Sequence, residues 1–151
     1  MQAWVQANAL ALSPDKTHVG DCREQGQGFD FPGYHFEAGQ RWVRRKSLKA
    51  IRDRIRAKTG RTRGDSLACI IAELNPMLQG WYGYFQRAHP WTFSGMDGFI
   101  RRRLRSLWRK QQKRPGSGRT LAGHQRWPKA FFAELGLFTM TEAHALASRS
   151  R

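Results

Sequence analysis

Two classes of side chain in this sequence have the chemistry to do work, and they are unequally supplied. The acid/base and metal-ligating types are His18, His35, His89, His124 and His144, with Asp15, Asp21, Asp30 and Asp97. No two of them fall at ligand spacing on one helix face and no carboxylate pair stands out. The pattern therefore assigns no catalytic residue, no metal ligand and no cofactor. Cys22 and Cys69 are too few and too far apart for a disulfide framework or a paired zinc site. Cys69 is expected to be buried and structural, and Cys22 an inert strand residue.

Cations are the abundant class. There are 27 Lys and Arg against 11 Asp and Glu, a formal charge of +16. That exceeds what solubility requires, and such a surface attracts polyanions. The charges are clustered. Arg41, Arg44, Arg45, Lys46, Lys49, Arg52, Arg54, Arg56, Lys58, Arg61 and Arg63 face the single acid Asp53, and Arg101, Arg102, Arg103, Arg105, Arg109, Lys110, Lys113 and Arg114 follow one another with no acid between them. An ordinary surface helix alternates its signs to gain pairs three and four residues apart. Here most partners are missing, so self-repulsion is tolerated, as expected of a face that a polyanion neutralises. Guanidinium forks suit phosphate oxygens and unpaired bases. Trp42 and Trp91, each at a helix entrance beside basic residues, are the candidates for base stacking.

The elements that must hold these residues follow from periodicity. Residues 1–12 read as a helix, and a helix opening at Met1 suggests missing upstream sequence. Lys16–Cys22 and Phe29–Phe36 read as two strands of a hairpin, with Pro32 marking an edge or a bulge. Ser47 is expected to cap a basic helix that ends near Gly60, with Leu48, Ile51 and Ile55 as its apolar stripe. The central run 66–88 carries Leu67, Ile70, Ile71, Leu74, Leu78, Trp81, Tyr82 and Phe85 on one face. Pro76 after Asn75 divides it into helices 66–74 and 76–88, a single kinked helix being the alternative. Ser94 and Asp97 resemble a capping box opening a second basic helix striped by Met96, Phe99, Ile100, Leu104, Leu107 and Trp108. Trp81, Tyr82, Phe85, Phe99 and Trp108 are thus expected in the core. Pro115-Gly116-Ser117-Gly118 is a linker, Trp127-Pro128 opens a short helix to Gly136, and the tail after Phe138 is expected to fray. The fold class is mainly α, a small N-terminal β-hairpin followed by a helical bundle. No run of about 18 apolar residues or signal-like segment is present, which disfavours a membrane partner and secretion.

Three motifs carry a resemblance. Leu12-Ser13-Pro14-Asp15-Lys16-Thr17, Gly28–Phe36, and above all Leu74-Asn75-Pro76 with Gly80-Trp81 and Tyr84-Phe85 resemble the C-terminal part of group II intron reverse transcriptase/maturases. The resemblance implies a division into 1–40, a palm remnant; 41–115, a thumb-like maturase-specific domain; and 116–151, a helical extension. It implies that Asn75, Pro76, Gly80, Trp81, Tyr84 and Phe85 are structural, and that Arg41, Arg44, Arg45, Lys46, Lys49, Arg52, Arg56, Arg101, Arg102, Arg105, Arg109 and Lys113 meet structured intron RNA. It also implies a role in intron folding, splicing and mobility, in a bacterial cytoplasm. Lys16 resembles a palm lysine near the departing pyrophosphate, although a surface lysine is the better reading. The family's Tyr-x-Asp-Asp motif is not in this sequence, so no polymerase site carries over and the chain is read as a non-enzyme. Pro32 stands where the family more often has Leu, and no Cys/His-rich endonuclease segment follows. The competing readings are a thumb serving a separate palm, a nonspecific basic coat for DNA or RNA, and a decayed fragment.

Overall fold

The computed structural model describes residues 23–150 and, alone among the first 22, Ala7. The expected helix over 1–12 and strand Lys16–Cys22, with Asp15, Lys16, His18, Asp21 and Cys22, otherwise lie outside the described residues.

Three short strands come first: β1 (Phe29–Phe31), β2 (Tyr34–Glu37) and β3 (Gln40–Val43), an antiparallel sheet in that order. The expected second strand is thus itself a hairpin, because Pro32-Gly33 turns the chain instead of bulging it. Phe31 pairs with Tyr34, and Gly33 takes φ +81° behind a proline, the arrangement of a type II turn. A Cβ at Gly33 would come within 3.0 Å of the Tyr84 and Phe85 rings, so those rings also demand glycine there. The second turn, Ala38-Gly39, has positive φ at both positions, the two-residue geometry that suits strand twist. β3 arose from residues assigned to the basic block, and it spans the expected 40/41 boundary.

Six helices follow among the described residues: α1 (Arg45–Lys58), α2 (Leu67–Phe85), α3 (Pro90–Gln111), α4 (Leu121–Arg126), α5 (Lys129–Glu134) and α6 (Met140–Arg149). The mainly α fold class is therefore correct. The expected stripes build one core: Ile51 and Ile55 of α1, Ile70, Ile71, Leu74 and Leu78 of α2, and Met96, Ile100, Leu104 and Leu107 of α3 are all buried. Each contributes on the order of 1.5–3 kcal/mol by leaving water.

Four local expectations are corrected. α1 begins at Arg45 with Arg44 at its N-cap position, ahead of Ser47, because β3 runs directly into it. α2 is one helix through Pro76. The missing N–H deprives only the exposed Ala72 carbonyl, while ending the helix there would strip the buried Leu74 and Leu78 of their common face. α3 begins at Pro90, capped by His89, so Ser94 is interior and Asp97 makes no capping box. The tail after Phe138 does not fray; it forms α6, packed on α3 and α2. Ser66 does cap α2, its hydroxyl accepting from Cys69 N–H at 3.2 Å. Cys69 itself is exposed, on the far side of the helix from the core.

The resemblance motif explains how sheet and C-terminal chain are attached to α2. Tyr34 Oη donates to the Tyr84 carbonyl at 2.9 Å, Tyr84 Oη donates to the Pro32 carbonyl at 3.4 Å, and the Tyr34 and Phe85 rings meet edge to face. Trp81 lies against Phe85 at 4.8 Å. Asn75 serves the opposite end: its amide donates to the Gly136 carbonyl at 2.7 Å and accepts from Phe138 N–H at 2.9 Å. Nothing in the structure explains Gly80, where a Cβ would meet open space.

Candidate nucleic-acid interface

Helices α1 and α3 are far apart in sequence but share a wall. Arg52 and Arg56 stand one turn apart on α1, and Arg102 projects from α3. All three guanidiniums gather over the Phe99 ring, at 5.8, 5.4 and 5.5 Å from its centroid. Each contact is a cation–π attraction worth about 0.5–1 kcal/mol where exposed. Gly95 and Gly98 leave the floor beside Phe99 open, producing a groove of about 360 Å³. It runs on along Arg56, Phe99 and Arg102 to Arg103, Ser106 and Arg119.

The electrostatics are those of an under-neutralised site, in which three guanidiniums meet one carboxylate. Asp53 is the single acid of α1, and it already accepts from Lys49 at 2.9 Å and Arg56 at 2.6 Å. Asp97, the single acid of α3, is buried and turned the other way, into the start of α6. Arg52 Nε is buried with no hydrogen-bond partner, a donor that an anion would satisfy. Arg103 is fixed by donating to Thr59 Oγ1 at 3.1 Å and to the Thr59 carbonyl at 2.9 Å. Burial first, and then the like charges of Arg56, Arg102 and Arg61 nearby, push its pKa down. A guanidinium remains charged through such a shift.

The other residues anticipated from sequence are dispersed. Arg45 and Lys46 start α1 and line a separate groove with Asp30, His35, Glu37, Trp42 and Arg44. Arg44 is paired there with Asp30 at 2.9 Å. Arg41 is exposed on β3, and Arg101 is half-buried on α3. Lys113 lies just past α3 with φ +52°. Two of the anticipated residues are engaged within the fold. Arg105 is buried, its Nε donating to the Trp127 carbonyl at 2.9 Å with its guanidinium over Phe132, and Arg109 is engaged by the Pro115 carbonyl and the Trp127 ring. Both clamp the C-terminal chain onto α3, so Arg105 cannot present a fork to a ligand and Arg109 does so at the expense of its bond to Pro115. Phe99, Arg87 and Arg119 line grooves without being marked as site residues by the charge pattern. The spacing 95, 98, 99, 102 on α3 was available as a signal for Phe99, while Arg119 sits in a Gly/Ser loop without periodicity.

Exposed carboxylates hold the outside of this surface together. His35 and then Arg44 lower the pKa of Asp30, Lys49 and Arg56 lower that of Asp53, and Arg63 lowers that of Glu73. A carboxyl whose folded pKa is depressed stabilises above its unfolded value and loses that contribution as pH falls through the folded one. Thermal unfolding midpoints should therefore fall between about pH 5 and pH 3, less steeply in about 0.5 M salt because these pairs are exposed and screened. A midpoint flat across that range would show that the pairs contribute nothing.

The fold and groove define a small, strongly basic helical domain with a sheet docked at one end and one under-neutralised face. Over residues 48–127, just over half of its length, the sequence matches the family described as "Group II intron, maturase-specific domain". The chain belongs to that family, which is the maturase-specific part and not the catalytic palm. No curated protein matches the chain. Among the described residues no helix is long and apolar enough to cross a membrane, and no group of three or more His, Cys, Asp or Glu is arranged to hold a metal ion.

Proposed function

We propose that this chain is the RNA-binding maturase domain of a group II intron protein, assisting the folding, splicing and mobility of its intron RNA while the RNA does the chemistry. The observation that carries this reading is the gathering of Arg52, Arg56 and Arg102 over Phe99, with Asp53 shared between Arg56 and Lys49 and Asp97 turned away. Forked donors on two rigid helices suit a phosphate backbone whose shape, not its sequence, is read. In this reading 1–40 is a palm remnant, 41–115 the thumb-like unit and 116–151 an extension that braces it. The chain acts as a non-enzyme in a bacterial cytoplasm.

The test is retention of a group II intron RNA by purified protein. Affinity should fall by orders of magnitude between about 50 and 200 mM salt, through counterion release from six to ten phosphate contacts. It should also exceed the affinity for an unrelated RNA of equal length. Equal retention of both RNAs and of duplex DNA would instead indicate a nonspecific basic coat. A second reading, service as the thumb of a separate palm, draws on the sheet: among the described residues nothing pairs with the outer edge of β1, and Phe31 beside it is 62% exposed. Such an edge invites strand addition. Primer extension by a mixture with a palm-bearing chain would support that reading, and its absence would count against it.

A further inference from the structure

The arginine groove leaves an aromatic cluster at the start of α3 unused. Trp91 is 76% exposed, the highest value among the large apolar side chains of the described residues. Its backbone is nonetheless fixed at the helix start. Pro90 opens the helix, and His89 at the cap accepts the Trp91 N–H on its Nδ1 at 3.3 Å. The His89 ring stacks on Trp42 of β3 at 4.3 Å and 19°, and meets Trp91 edge to face at 5.3 Å. The His89 N–H donates to the Arg41 carbonyl at 2.7 Å, which fixes strand and helix cap together. Arg41 and Arg87 line a groove of about 360 Å³ beside His89 and Pro90, and no carboxylate lines it. The positive end of the 22-residue α3 adds to the potential there.

We infer that Trp91, backed by His89 and Trp42, is a stacking platform for an unpaired nucleobase, with Arg41 and Arg87 meeting the phosphates on either side of it. This rests on the RNA-binding reading above and adds a subsite to it. A lone exposed indole needs no explanation, but this one lies edge to face on the His89 ring, and His89 in turn lines the groove that holds Arg41 and Arg87. Those are the components of a single-strand site, aromatic face plus backbone cations. An RNA base is preferred to a protein side chain as occupant because the groove beside His89 and Pro90 is lined by Arg41 and Arg87 and by no carboxylate. Stacking reads a π-face and not a base edge, so the site discriminates unpaired from paired nucleotides without a sequence preference.

The experiment uses the full chain with two probes carrying equal numbers of phosphates, a single-stranded oligouridylate and an RNA duplex. Trp91→Ala should weaken the oligouridylate about 10- to 100-fold, leave the duplex within about twofold, and abolish the fluorescence quenching that the oligouridylate causes in wild type. Trp91→Phe, which keeps an aromatic face if the alanine variant disturbs α3, should retain most of the affinity. Equal losses on both probes, or no loss on the single strand, would overturn the platform while leaving RNA binding by the arginine groove intact. Failure of the wild type to bind either probe would overturn both readings. Self-association that Trp91→Ala removes, with RNA binding untouched, would assign the patch to a second copy of the chain and overturn the proposal.

Discussion

Replacing Arg52, Arg56 and Arg102 together by alanine is expected to weaken binding of intron RNA about a hundredfold in ~0.1 M salt and to lower the slope of log affinity against log salt by about 2 to 3. Three phosphate contacts account for both numbers, since each neutralised phosphate releases close to one counterion. The fold should tolerate the change. The three side chains meet no acid apart from Asp53 at Arg56, and what they lose is the contact with Phe99, about 0.5–1 kcal/mol apiece. Relief of mutual repulsion offsets part of that. Lys129→Ala is the control, because its charge is paired with Glu142 of α6, and it should leave affinity within about twofold. Filter-binding titrations over a salt series measure both quantities. A triple variant binding within two- to threefold of wild type, with an unchanged slope, would place the RNA elsewhere on the molecule.

Arg105 shows why charge alone could not have drawn this surface. It stands three residues from Arg102 in a segment rich in cations and free of acids, and sequence treats the two alike. On the helix they face different ways. Gly95, Gly98, Phe99, Arg102 and Ser106 lie along one side of α3 and line the grooves, whereas Arg105 and Arg109 fall on the side that Trp127 and Phe132 cover. That cover comes from residues after the linker, whose destination no local pattern specifies. The same reasoning separates what was legible from what was not. The buried stripes of α1, α2 and α3 could be read because burial repeats every three to four residues along one element. At Asn75, Asp97 and Pro76 local pattern misleads for the opposite reason, because cap and boundary chemistry points to the nearest backbone. The true partners of Asn75 lie 61 and 63 residues on, and those of Asp97 lie 43 and 44 residues on. The Pro32-Gly33 turn is legible in composition, but the four aromatics flanking it favour one continuous strand when pattern alone is weighed.

Asp97→Ala is expected to be the most destabilising single change on the helical face opposite the arginines, costing about 3 kcal/mol. The carboxylate is 3% exposed. It accepts from Met140 N–H at 3.1 Å, from Thr141 N–H at 2.9 Å and from Thr141 Oγ1 at 2.6 Å, so a side chain of α3 caps the N-terminus of α6 in place of any residue of α6 itself. Thr139, at the cap position, makes no side-chain cap bond. Removing Asp97 leaves two backbone donors without acceptors beside the fully buried Met140, and withdraws a negative charge from the positive end of a helix. For a chain of this length the loss corresponds to a fall in unfolding midpoint of roughly 6–12 °C. Because α6 rests on α3 and α2, the opening should be local before it is global, with amide exchange of residues 140–149 accelerating ahead of α2. Asp97→Asn keeps one acceptor oxygen but turns an NH₂ toward a donor, so it should fall between wild type and alanine. Urea unfolding with exchange measurements on both variants decides the matter. If Asp97→Ala unfolds within about 0.5 kcal/mol of wild type and α6 exchanges as before, the cap is dispensable and α6 is held by Met140 and its apolar neighbours alone.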